Sequence, residues 1–443
     1  MKIKYCFLIN LVCVLLHVNQ CLASTGFAVA AQDSTLAVLV ERNAFELSIE
    51  NGNLIGADSL IANAMESDIF YFGENHGISE IASLAQLLYD SLSSNSPQIL
   101  VTEIGPYSSK EVESLVASGQ YEAFMESGTN LLSVPFFFLK QEVPLLKSAV
   151  KQWEGTGIEG VWGLDQEFMA GAPIVFQYLE KLATTDQERK AVKKVRRKSI
   201  FNPFLIGMGS GDALTSLRAS FENATSSEAR DLTEQLVLSH KIYKEQMGGD
   251  ARWSNKRRED LMMENLLRQV EDMDSVPNLF LKFGAYHLHR GASPTVKEAL
   301  GLMVHKWALE QGMTTTALSV NALEGETLNP IFGTKEPLSG TARWKSSVFG
   351  QLVGDDPVLF DLRAIRNHPE VEGLSKRFQL MIQGYDFLIL YPKGTAQDFL
   401  EGRLATKVYA IIIGVIVLLV LATLIFFLVR RIRRRRKSRK ATA

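Results

Sequence analysis

Short, nearly continuous apolar runs recur along this chain, each followed by a longer stretch whose apolar positions return with helical spacing. SDIFYF, ending at Phe72, is the clearest case. After it, Ile78, Ile81, Leu84, Leu88 and Leu92 keep close to the period of an amphipathic helix. QILVTEIG from Gln98, IEGVWGL from Ile158, LFLKFGAYH from Leu279, TTTALSV from Thr314 and DFLILYP from Asp386 read as further strands. Runs apolar on both faces and separated by helices predict an α/β fold, a mainly parallel sheet covered by helices on both sides. Ser108 and Glu111 fit a capping box that would open the helix KEVESLVASG. Helical patterning fills most of Pro173 to Val270, with a Gly/Asn-rich break from Asn202 to Gly211. Residues 177–273 are therefore expected to form a helical insertion. The Gly- and Pro-containing stretch from Gly325 to Pro369 reads as loop or peripheral structure.

The two ends carry a different pattern. Lys2 and Lys4 precede the apolar run Cys6 to Val18, and small residues follow, as in a secretory signal peptide over 1–30. Ala28-Val29-Ala30 or the Leu22–Ser24 region would be its cleavage site. Val408 to Val429 carries no charge and is long enough to cross a bilayer as a helix. A basic tail, 430–443, follows it and would stay cytoplasmic. The expectation is a single-pass protein whose main domain, 31–405, faces the periplasm or cell exterior and touches the membrane through one C-terminal helix.

Charge and cysteine usage sharpen that picture. The whole chain stands at −2, but two lysines of the leader and nine cations after Val429 leave −13 for residues 25–407. That balance argues against nucleic acid as a partner. The three cysteines, Cys6, Cys13 and Cys21, all lie in the leader. The domain thus has no disulfide and no thiol nucleophile, which points to a bacterial envelope rather than a eukaryotic secretory route. On the latter route Asn223-Ala224-Thr225 would be a glycosylation sequon.

Ligands of open α/β sheets sit at the carboxyl ends of the strands. There the sequence places Glu74 and His76, then Glu103, then Asp165 and Glu167, then His287 and His289. Each has a plainer reading as well, as a helix cap, a structural ion pair or a surface turn. There is no G-x-S-x-G elbow, and GMGSGDA from Gly207 lacks the Lys-Ser/Thr of a phosphate loop. What remains is His and carboxylate. A His beside a Glu can take a proton from water. Alternatively, His287 and His289 would share one strand face and, with Glu74 and His76, could hold Zn or Mn. Tyr286 beside His287 offers a haem ligand pair, which keeps a non-enzymatic binding role open.

GENHGISE, the glutamate of VTEIG, RREDLMMENL and GAYHLHRG resemble, in that order, the signature blocks of the erythromycin esterase-like and ChaN-like superfamily. The R-[DE]-x-x-M-x-x-N block falls on Arg258, Glu259, Met262 and Asn265. The resemblance implies a hydrolase of an ester, lactone or amide, acting on a small molecule or peptide. Glu74 and His76 would activate water, with Glu103, Arg258 and His287 in the catalytic group. Arg258 would polarise the carbonyl or bind a carboxylate. Asp165, Glu167, Asn265 and His289 would support or bind substrate. Two departures point elsewhere. The spacing G-E-x-H-G is similar to ChaN-like proteins, some of which bind haem, and G-x-x-H at Gly284 to His287 resembles the Tiki/TraB motif, which implies a metal-dependent peptidase.

Overall fold

The computed structural model describes residues 35–400 except 51, 128–129, 131, 330–333 and 340. The signal peptide and the Val408–Val429 span read from the sequence lie outside the described residues. Among those described, no helix is long and apolar enough to cross a membrane.

Strands are named in chain order. β1 is Ala44–Glu46; β2 (Ser48–Glu50) and β3 (Asn53–Ile55) form a small hairpin. β4 is Ile69–Glu74, β5 Gln98–Thr102, β6 Val161–Gly163, β7 Asn278–Gly284 and β8 Thr315–Ala322. β9 (Glu326–Leu328) and β10 (Lys335–Pro337) make a second ribbon; β11 is Val358–Asp361 and β12 Phe387–Tyr391. The main sheet runs β1-β11-β12-β8-β4-β7-β5-β6. From β12 to β6 every neighbouring pair is parallel, while β11 and β1 add antiparallel to one edge. β4, β5 and β12 are buried at every position, so both faces are covered and the runs read as continuously apolar.

The sheet divides the apolar interior into two layers. Phe70, Phe72 and Phe280 face one layer, with the helix Ser79–Asn95 and its Leu84, Leu88 and Tyr89. Tyr71, Leu279 and Leu281 face the other, with Met262 and Leu266 of the helix Ala251–Val270. The alternation follows from the two-residue repeat of a strand.

The helical insertion is present as helices Ala172–Leu182, Asp186–Phe201, Asp212–Phe221, Ser227–Gly248 and Ala251–Val270, between β6 and β7. Three expectations are corrected. The Gly325–Pro369 stretch is not wholly peripheral, because β11 joins the main sheet. The helix after β5 starts at Pro106, with proline's fixed φ suited to a first turn, so Ser108 and Glu111 lie inside it and form no capping box. β7 ends at Gly284, and the chain then turns, His287 N–H donating to Gly284 O at 2.9 Å. His287 and His289 therefore do not share a strand face.

Candidate active site

The carboxyl ends of β4, β5, β6 and β7 meet in one polar corner. β4 delivers Glu74 as its last residue, and β7 lies beside it with Phe72 opposite Lys282 and Glu74 opposite Gly284. Lys282 is thus a diagonal neighbour of Glu74 across the ladder, within reach of a long side chain. Its ammonium sits 2.8 Å from Glu74 and 3.0 Å from Glu142, and only 4% of the residue is exposed. Gln397 donates to the other oxygen of Glu142 at 2.9 Å. A buried lysine is tolerated only when its charge is matched, and here two carboxylates match it.

Glu74 in turn holds His76: Oε1 lies 2.7 Å from Nδ1. The other ring nitrogen, Nε2, stands 3.4 Å from Glu103 Oε2. The turn carrying His76 is pinned from two distant segments. Thr327 Oγ1 donates to His76 O at 2.8 Å, and Gln397 N–H donates to Gly77 O at 3.0 Å. Gly77 has φ +80, and any Cβ there would come within 2.5 Å of Thr327 Oγ1. On β7, a Cβ at Gly284 would approach His76 Nε2 to 2.8 Å, so the bare backbone makes room for the ring. Phe136 covers the ring from outside, with centroids 4.4 Å apart at 30°. Its φ is +65, the one positive value at a non-glycine among the described residues.

The second half of the corner is built on Arg258. Its Nε and one terminal nitrogen grip both oxygens of Asp165 at 2.8 and 2.6 Å, and that terminal nitrogen also reaches Glu103 Oε1 at 2.6 Å. Its remaining nitrogen faces His287 Nε2 at 3.3 Å. Glu259, one residue on, binds His287 Nδ1 at 2.7 Å and caps Leu300 N–H at 2.9 Å. Glu103 joins the two halves: it lies between His76 and His287 and accepts from Gly284 N–H at 2.9 Å. Asn265 ties the helix to the end of β6 through Leu164 O at 2.6 Å.

Electrostatics follow from this pairing. Burial alone would push the His76 proton off, but the carboxylates of Glu103 and Glu74 outweigh it and raise the imidazole to about 9. His287 is raised against burial by Glu103 and Glu259. Burial works against ionised Glu74, yet Lys282 and His76 hold it below the usual carboxylate value. Glu103 is held further down against burial by His287, His76 and Arg258. At neutral pH the resting corner is a lattice of ion pairs with a protonated His76.

The structure therefore brings together Glu74, His76, Glu103, Asp165, Arg258 and His287, with Asn265 in support. Two expected members stand apart. Glu167 is fully buried and caps the helix Pro106–Ala117, accepting from Tyr107 N–H at 2.9 Å, Ser108 N–H at 3.3 Å and Ser108 Oγ at 2.5 Å. Burial raises it to about 7. His289 is buried edge-on to Tyr385, centroids 5.0 Å apart, and burial lowers it to about 4. The set Glu74, His76, His287 and His289 does not close as a ligand cage. Among the described residues, no three His, Cys, Asp or Glu side chains are placed to hold a metal ion. Tyr286 lies under the Arg377 guanidinium, 5.3 Å from its ring centre, while both nitrogens of the neighbouring His287 already face protein groups. Arg258 commits Nε and one terminal nitrogen to Asp165 and Glu103, and its other terminal nitrogen faces His287. Lys282, Glu142 and Phe136 were not foreseen. A lysine inside the apolar run LFLKF was the available signal for the first.

No protein-family model and no curated protein sequence matches this chain. Solved structures do. A variant of the erythromycin esterase EreC in its open conformation superposes with a TM-score of 0.53 at 12% identity, over 81% of this chain and 99% of the other. The fold is shared with an erythromycin esterase. A succinoglycan biosynthesis protein gives a TM-score of 0.55 at 12% identity, over 85% and 100% of the two chains. A Bacillus cereus protein gives 0.53 at 16% identity, over 82% and 98%. These likenesses extend along nearly the whole of each partner and establish the fold. A haem-bound ChaN from Campylobacter jejuni reaches a TM-score of only 0.27 and carries no argument about this chain.

Proposed function

We propose that this protein is a hydrolase that activates water at His76 to cleave an ester, lactone or amide. The carrying observation is the ordered chain Lys282–Glu74–His76–Glu103, in which one ring nitrogen is fixed and the other faces a carboxylate across 3.4 Å. A water bound at Nε2 would pass its proton to the neutral imidazole while its oxygen attacks the carbonyl carbon. When the tetrahedral intermediate collapses, the imidazolium returns that proton to the leaving group. Glu74 fixes the tautomer and stabilises the charged ring. Glu103, anchored by Arg258 and Gly284 N–H, would orient the water. A protonated resting His76 implies that the rate climbs with pH towards about 9. The shared fold with an erythromycin esterase supports a small-molecule substrate as the first class to screen.

The charge-free run Val408–Val429 and the basic residues after it support a tethered location, with the catalytic corner outside the cytoplasm. The test is turnover of an ester and lactone panel by wild type, His76→Ala and Glu74→Gln, with folding followed by circular dichroism. The reading expects loss of at least about a hundredfold in His76→Ala with the fold intact. Full activity in that variant would overturn it.

A further inference from the structure

The segment from Arg189 to Gly211 carries seven cations and no acidic residue, although residues 25–407 as a whole stand at −13. Most of it is the helix Asp186–Phe201, opened by a capping box of Thr185 and Glu188. Its inner line is Glu188, Val192, Val195 and Ser199, all buried. The outer face carries Lys190, Lys193, Lys194, Arg197 and Lys198, all exposed. Arg189 and Arg196 are paired with Asp186 and Glu180. No ion pair among the described residues involves the other five. At the end of that face stand Ile200, 59% exposed, and Phe201, 90% exposed.

Helical geometry puts Lys190, Lys194, Arg197 and Phe201 on one stripe, with Lys193, Lys198 and Ile200 flanking it. We propose that this face docks on an anionic lipid bilayer, the cations meeting headgroup phosphates while Phe201 and Ile200 enter the interfacial layer. Cations alone would suit any polyanion. A bare phenylalanine beside them suits one whose charged surface covers an apolar interior. The rest of residues 25–407 is net acidic, so an anionic surface favours an approach through this face. The proposal does not depend on the hydrolytic reading.

The experiment uses the full chain with Cys6, Cys13 and Cys21 replaced by Ser and a nitroxide label at Ile200→Cys, in nanodiscs of phosphatidylcholine alone or mixed with phosphatidylglycerol. The expected result is a label open to oxygen and shielded from an aqueous nickel complex only with phosphatidylglycerol, and released by high salt. Neutralising Lys190, Lys194 and Arg197 to Gln weakens docking about fivefold per charge, about a hundredfold together. These side chains face solvent, so melting is unchanged; Phe201→Ser is the second variant and also releases the label. A water-exposed label in both lipids overturns the proposal, as does equal shielding in neutral lipid. Shielding by an oligonucleotide or an acidic protein but not by the anionic lipid would assign the face to that partner and overturn it too.

Discussion

Replacing Lys282 with Met tests whether the corner is held by a buried ionic relay. The lysine is 4% exposed and contacts Glu74 at 2.8 Å and Glu142 at 3.0 Å, both carboxylates being as buried as it is. Methionine keeps most of the side-chain volume and deletes the charge. Removing one partner of a buried pair leaves an uncompensated charge, at a cost of about 3–5 kcal/mol. Here two carboxylates are left, but the damage is limited on both sides. Glu142 is already raised by burial and by Glu74, so it takes up a proton; Glu74 keeps His76 as a partner. The expected loss is therefore at the lower end, about 3 kcal/mol. Glu142→Gln removes the surplus carboxylate. The double variant should then be more stable than the sum of the singles by about 2 kcal/mol, a coupling typical of close charged pairs. Urea unfolding of the four proteins measures it, with equal slopes required for comparison. Losses that add within about 0.5 kcal/mol would refute the relay. The same series reports on chemistry, because a Glu74 freed from Lys282 orients His76 less well and turnover falls in Lys282→Met.

Four further outcomes follow from His76, Glu167 and Phe136. His76, followed by NMR among the seven histidines, should titrate near 9, and Glu103→Gln should lower it; titration near 6.5 in wild type would contradict the carboxylate clamp. Because its folded value is raised, His76 contributes stability that is full below about 6.5 and lost as pH rises through about 9, of order 1–2 kcal/mol after allowing for a ring one-third exposed to solvent. Glu167 is also raised, to about 7, so its contribution is present below about 4.5 and lost through about 7. Glu167→Gln should accordingly gain on wild type by about 3 kcal/mol between those limits in pH-dependent unfolding, and a pH-independent difference would contradict the assignment. Phe136→Gly relieves a left-handed backbone that Phe136→Ala retains, so the glycine variant should be more stable than the alanine one by about 1 kcal/mol; equal stability would mean the φ of +65 stores nothing.

Much of this architecture was legible because its signals are local. Strands buried on both faces read as unbroken apolar runs, and β4, β5, β7, β8 and β12 were visible in that way. β1, three residues with two exposed, and β11, inside a Gly- and Pro-containing stretch, take their place from pairing with distant strands. The strand-end rule named Glu74, His76, Glu103, Asp165 and His287, and the fold brings these five into one corner. Glu167 and His289, named by the same rule, lie apart from that corner because the rule assumed that the strands continue. β6 stops at Gly163 and β7 at Gly284, and beyond a strand the alternation of sides no longer holds. Glu142 carried no local mark, since its partners lie at positions 282 and 397.

Those long-range ties explain why the corner holds its shape around so many charges. The segment from Gly394 to Leu400 is hydrogen-bonded to both loops that flank His76. Ser79 N–H donates to Thr395 O at 2.8 Å, Gln397 N–H donates to Gly77 O at 3.0 Å, and Lys140 N–H donates to Asp398 O at 2.8 Å. The same segment supplies Gln397 to Glu142, and so bears on Lys282 and Glu74. The turn that presents His76 and the loop that lays Phe136 across it are thus fastened to one strap as well as stacked on each other. Backbone strain at Phe136 costs about 1–3 kcal/mol and persists only where its surroundings over-determine the conformation. Here Leu400 N–H, donating to Phe138 O at 3.0 Å, is one of the bonds that does so. Loosening the strap should therefore release Phe136 from His76 and slacken the Glu74 relay together, since both hang from the same residues.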